Sequence, residues 1–107
     1  MQMRISAAAA AAFAASLVLA ATPGYAADVF HGRDLAQRWC ASCHLVTPDQ
    51  KRASADVPPF ATIAQQPNFS AQALAYFLLD PHPIMPEMAL SRNAANDLAA
   101  YIASLRK

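Results

Sequence analysis

Cysteine, glycine and charge are all scarce in this chain. Only two cysteines and two glycines occur in 107 residues, and charged side chains make up 14% of them. Two cysteines with only two residues between them exclude a stapling disulfide framework, because a bridge between them closes a loop too small to constrain the unfolded chain. Charges are scattered, with no like-charge block and no basic patch, which argues against a nucleic-acid surface. Strand-like alternation bounded by hairpin turns is missing as well, and so are internal repeats and, past residue 26, low-complexity stretches. What is left at this length is one small domain, read as all-α.

The N-terminus has the layout of an export signal. Met1 to Arg4 supplies one positive charge, and Ile5 to Ala21 is an uncharged, alanine-rich run containing Phe13, Leu17, Val18 and Leu19. Pro23-Gly24 breaks the run just before the small-residue site Gly24-Tyr25-Ala26. Residues 1–26 are therefore expected to be a secretory signal peptide cleaved after Ala26, with 27–107 as the mature domain in the periplasm. The competing expectation is a retained membrane tether, since the uncharged run is near the lower length limit for spanning a bilayer.

Without that segment the chain keeps 81 residues, with seven basic and seven acidic side chains, so its net charge is near zero. A domain this short buries proportionally little surface and usually needs a metal, a large cofactor or disulfides at its centre.

Periodicity places four helical stretches. Val29 to Cys40 has Val29, Phe30, Leu35, Ala36 and Trp39 compatible with one face, and Asp28 as a cap. Gly32 inside it costs up to about 1 kcal/mol relative to alanine, which points to a second helix crossing closely there. Thr47 to Pro59 is polar and proline-rich and reads as a loop, followed by a short helix from Phe60 to Gln65. Ser70 caps a helix over Ala71 to Leu79, with Leu74, Phe77 and Leu78 spaced for one face; Pro81 and Pro83 stop it by Asp80. Pro81-His82-Pro83-Ile84-Met85-Pro86 is a stiff extended loop. Ser91 caps the last helix, with Ala94, Leu98, Tyr101, Ile102 and Leu105 on one face and Arg106 and Lys107 near its C-terminal dipole.

Cys40-Ala41-Ser42-Cys43-His44 is the C-x-x-C-H pattern of c-type haem attachment. Two thiols one helical turn apart each add to a vinyl group on a porphyrin edge, and the next residue projects an imidazole under the ring toward the iron. Three rival chemistries fit less well. A redox dithiol belongs beside a strand in a βαβ unit, and no such pattern is present. A zinc site needs ligands beyond Cys40, Cys43 and His44, and only His31, His82 and scattered carboxylates are on offer. A plain disulfide explains neither the adjacent histidine nor how so small a core holds together.

The chain resembles the class I monohaem c-type cytochromes over most of residues 27–107. The resemblance runs in order through Gly32, the Cys40 to His44 motif, His82-Pro83-Ile84-Met85-Pro86, Leu98 and Tyr101-Ile102. It implies a small fold of three to five helices around one covalent haem c, with Gly32 crossing the C-terminal helix against Tyr101. It also implies covalent thioethers at Cys40 and Cys43, His44 as the proximal iron ligand and Met85 as the distal one. A thioether needs no deprotonation, and a proline-stiffened loop holds it over the ring. Met88 and His82 stay open as alternative distal ligands. The resemblance further implies a proline carbonyl accepting from His44; Pro58 is the expected residue, with Pro59 and Asp56 as alternatives. Trp39 packs on the ring, reaches a propionate or is core. His31 reads as a surface histidine.

With iron ligated on both sides no position is open to substrate, so the expectation is a one-electron carrier and not an enzyme, shuttling between exported redox enzymes, dehydrogenases or reductases on one side and oxidases or reductases on the other. The alternatives are a dedicated haem subunit of a periplasmic dehydrogenase complex and a five-coordinate haem that binds a gas or peroxide. The export reading has a direct check. The intact mass of the exported protein should equal the chain from Ala27 plus one haem; a mass that includes residues 1–26 would establish the tethered form.

Overall fold

The computed structural model describes residues 2, 26–80, 85, 86 and 88–107. The expected signal segment, apart from Gln2 and Ala26, therefore lies outside the described residues, as does His82. The described chain forms α1 (Val29–Trp39), α2 (Phe60–Ala64), α3 (Ala71–Leu79) and α4 (Arg92–Ser104), with no strand among the described residues. Short polar side chains set three of the four helix starts. Asp28 accepts from the His31 N–H at 3.0 Å, Ser70 from the Ala73 N–H at 3.2 Å and Ser91 from the Ala94 N–H at 3.0 Å. Each satisfies an N–H that the first helical turn leaves unpaired.

α4 is the central element, packing against α1, α3 and α2. Its Ala95, Leu98, Ala99, Tyr101 and Ile102 are buried, and Leu98 is fully enclosed. The crossing with α1 is governed by Gly32. A β-carbon there would overlap the Asp97 backbone carbonyl and come within 2.9 Å of the Tyr101 β-carbon. The expected close crossing is thus present, and the helical penalty of glycine is the cost of letting two backbones touch.

The buried face of α1 differs from the expected one. Gly32, Leu35 and Ala36 are buried, but Phe30 is 81% exposed and Trp39 52% exposed. The stripe that continues Gly32 at helical spacing is Leu35, Ala36 and Cys40, and it rotates Phe30 and Trp39 outward. On α3, Ala75 and Leu78 are buried, and Leu74, Phe77 and Leu78 together line a cavity beside the core.

Two polar groups do work that lies far apart in sequence. Asp97 is completely buried, accepting from the Asp28 N–H at 2.7 Å and lying 2.5 Å from His31 Nδ1 through its other oxygen. His31 is therefore a surface histidine with a buried partner, and Asp97 is an anchor for the start of α1 instead of a solvated charge. A buried carboxylate is tolerable only with such donors. Arg106 lies just past the α4 terminus, as expected, and its guanidinium also reaches the Ala64 and Gln66 carbonyls at 3.1 Å each, closing the end of α2. The Ala64 carbonyl is at the C-terminal end of α2, where helical bonding leaves acceptors free, and the Gln66 carbonyl, which also accepts from the Phe69 N–H at 3.1 Å, lies just beyond it.

Gly32→Ala should cost at least about 2 kcal/mol in a denaturant titration of the assembled protein, within the range for inserting atoms into a closed contact. Gln37→Ala, on the exposed side of the same helix, should shift the midpoint little.

Candidate functional site

α1 ends at Trp39, but the chain does not straighten there. Cys40 N–H donates to the Ala36 carbonyl at 2.9 Å, Cys43 N–H to the Cys40 carbonyl at 3.1 Å and His44 N–H to the same carbonyl at 2.8 Å. These short-range bonds keep Cys40 to His44 in a helical turn, so Cys40, Cys43 and His44 face one side. Cys40 is buried and Cys43 half-buried, and no disulfide joins them. Burial, with the neighbouring Cys43 second, pushes the Cys40 thiol up to about 11. That is the reverse of the depressed thiol that redox dithiols rely on.

His44 is oriented through its ring. Nδ1 donates to the Pro58 carbonyl at 2.7 Å, the expected partner, and a carbonyl acceptor requires the proton to sit on that nitrogen. Nε2 is then the lone-pair nitrogen, suited to a metal. Phe60 lies against the imidazole, with ring centroids 5.3 Å apart and planes inclined by 48°. Phe60 N–H donates to the Leu45 carbonyl at 2.9 Å, which fixes the start of α2 beside the histidine.

In front of His44 lie two cavities that share Cys40, His44 and Met85 in their walls. The inner one, about 320 Å³, is walled by Phe60, Ile63, Leu74, Phe77, Leu78, Leu98 and Ile102. The outer one adds Trp39, Cys43, Val57, Pro86 and Met88. Together they make an apolar slot reached by two thiols, one imidazole and a thioether. That donor set and wall suit a flat macrocycle whose metal takes nitrogen and sulfur. Zinc fares worse, since among the described residues no group of three or more His, Cys, Asp or Glu side chains is assembled to hold a metal ion.

Of the two described methionines, Met85 lines both cavities and Met88 only the outer one. Ala89, just beyond, has φ of 48°, a left-handed turn that leads the chain from this loop toward Ser91 and α4. Trp39 is neither core nor enclosed: it stands half-exposed at the rim of the outer cavity.

The residues that sequence reasoning missed lie behind the turn. Val46 is buried, and its carbonyl accepts from the Tyr101 hydroxyl at 2.5 Å. Burial pushes the Tyr101 phenol up, consistent with a hydroxyl that stays a donor. Gln50 sits in the loop after the motif and bonds four backbone groups, three of them carbonyls. The Ser54 N–H and hydroxyl both donate to the Ser42 carbonyl at 2.7 Å. A polar loop residue gives no sequence signal for such contacts, because its partners are backbone atoms whose positions depend on the fold.

In comparison with known proteins, the chain is 64% identical over 81 residues to cytochrome c-552 of Bradyrhizobium diazoefficiens, a match spanning 76% of this chain and 78% of that protein. No family model matches, and no solved structure does.

Tyr101→Phe keeps the ring but leaves the buried Val46 carbonyl without its donor. The expected loss is about 1 to 3 kcal/mol of stability, read as a lower denaturation midpoint in the assembled protein.

Proposed function

The chain belongs to the c-type cytochromes, and on that premise we propose that its haem is six-coordinate, bound covalently through Cys40 and Cys43 and ligated by His44 and Met85. Membership in the family carries the coarser facts: the cofactor is covalently held haem c, the protein transfers electrons and is not an enzyme, and its partners are redox proteins. When bound, the haem supplies an iron that alternates between ferric and ferrous states.

The observation that carries the ligand reading is the shared wall of the two cavities, where Cys40, His44 and Met85 meet. His44 points its lone-pair nitrogen away from Pro58, and the acceptor behind it raises the donor strength of the imidazole. Met85 brings a soft thioether that favours the ferrous state and gives a higher potential than a second histidine would. Leu74, Phe77, Leu98 and Ile102 exclude water from the slot, so little solvent has to reorient when the charge changes. Electrons enter and leave at the rim formed by Trp39, Cys43 and Pro86, the part of the site open to a docking partner.

The domain, residues 27–107, acts after export to the periplasm and removal of residues 1–26. No helix among the described residues is long and apolar enough to cross a membrane. The protein is a diffusible carrier between exported redox enzymes.

Met85→Ala should abolish the ferric iron to thioether charge-transfer band in the optical spectrum, while Met88→Ala leaves it in place. A band that survives Met85→Ala would transfer the sixth position to Met88.

A further inference from the structure

His44 is held from three directions. Its backbone N–H is bonded to the Cys40 carbonyl at 2.8 Å, its ring Nδ1–H to the Pro58 carbonyl at 2.7 Å, and its own carbonyl accepts from Gln50 at 2.9 Å. The ring contact is the most vulnerable of these, because Pro58 is exposed and water competes for both partners. Pro58 belongs to a loop without helix or strand, so its carbonyl is aligned only as well as that loop is tied down.

Beyond the Phe60 N–H to Leu45 carbonyl bond at 2.9 Å, which holds the far end of that loop, the tie on its near side is Gln50. Its Nε2 lies 2.7 Å from the Ala41 carbonyl, 2.9 Å from that of His44 and 3.0 Å from that of Arg52. Its Oε1 accepts from the Val46 N–H at 2.9 Å. The amide has one chemically sensible orientation. Turned over, it would set an oxygen against three carbonyl oxygens and an NH₂ against an N–H. Two N–H bonds are shared among three acceptors, so one side chain joins the haem-attachment turn (Ala41, His44), the second residue after it (Val46) and the returning limb of the loop (Arg52). Ser54 adds a second tie of that limb to Ser42.

We propose that Gln50 is a positioning residue for the proximal imidazole: its side-chain amide clamps the backbone around His44 to the returning loop and so keeps the Pro58 carbonyl in line with His44 Nδ1–H. The strength of that bond sets how strongly the imidazole donates to iron, so Gln50 acts on the redox centre through His44 without touching it. The role requires N–H donors. Glutamate has the shape and the acceptor but not the donors, and methionine has the length alone.

The proposal rests on His44 being the iron ligand, which the unaltered ferrous holoprotein tests separately by proton NMR. His44 ring protons moved far to high field by the porphyrin ring current support that reading; unshifted ring protons overturn it and the Gln50 role together. Given the shifted signals, solvent exchange of His44 Nδ1–H is compared in the unaltered holoprotein, Gln50→Glu and Gln50→Met, with the Leu98 backbone amide as the core reference. Both variants should speed His44 Nδ1–H exchange on the order of tenfold or more, the size expected for losing a local hydrogen-bonded tie, with a much smaller change at Leu98. Gln50→Glu exchanging as slowly as the unaltered protein would overturn the proposal, as would a parallel rise at His44 and Leu98, which marks a merely structural role. If neither variant assembles, the unaltered protein still decides. The Gln50 Nε2 protons should exchange at least about tenfold more slowly than those of exposed Gln37, and equal rates would refute the clamp.

Discussion

The contact between α1 and α4 at Gly32 sets the distance on which the rest of the molecule is built. Because no side chain intervenes, α1 lies on the Asp97 carbonyl and the Tyr101 β-carbon, and its C-terminal end is delivered to a defined place beside Leu98 and Ile102. The Cys40 to His44 turn continues from that end through its bonds to Ala36. A displacement of α1 by the width of one methyl group would carry the cysteines and His44 with it. Asp97 reinforces the same crossing from the N-terminal side, where the partial positive charge of the helix start and two donors meet its carboxylate.

The site has two faces of opposite character. In front of His44 the wall is hydrocarbon, drawn from α2, α3 and α4, and its side chains belong to a core whose centre is a slot. Behind His44 the chain is irregular and polar, and it is held by side chains bonded to backbone: Gln50 to four groups, Ser54 to Ser42, Tyr101 to Val46. The division follows from solvation. A macrocycle seated there would exclude water on the front face and leave polar atoms unpaired, whereas the back face is a loop whose carbonyls and N–H groups need partners wherever helix and sheet supply none.

This arrangement also answers how so small a domain holds together. α1, α3 and α2 each lean on α4, and Leu74 and Phe77, which helical spacing marks as core, turn toward the slot. Under the proposed site, haem c would be the body against which part of the apolar surface packs, in keeping with a small domain that has no disulfide framework.

Much of this was legible in the order of residues. The helix starts at Asp28, Ser70 and Ser91, the close crossing at Gly32 and the turn that brings Cys40, Cys43 and His44 to one side are local properties: a cap, a missing β-carbon and residues one helical turn apart. Even the choice of Pro58 came through family likeness. The rotation of α1 that exposes Phe30 and Trp39, the burial of Asp97, the reach of Arg106 to α2 and the four bonds of Gln50 were not legible. Each depends on atoms distant in sequence, and a short polar side chain looks the same whether water or a buried carbonyl awaits it. Sequence alone determined the C-x-x-C-H turn proposed to attach the haem, because that turn is written in five adjacent residues. The tertiary structure decided how firmly it is held, because hydrogen-bond partners for a histidine, a tyrosine and a glutamine exist only once separate segments have been brought together.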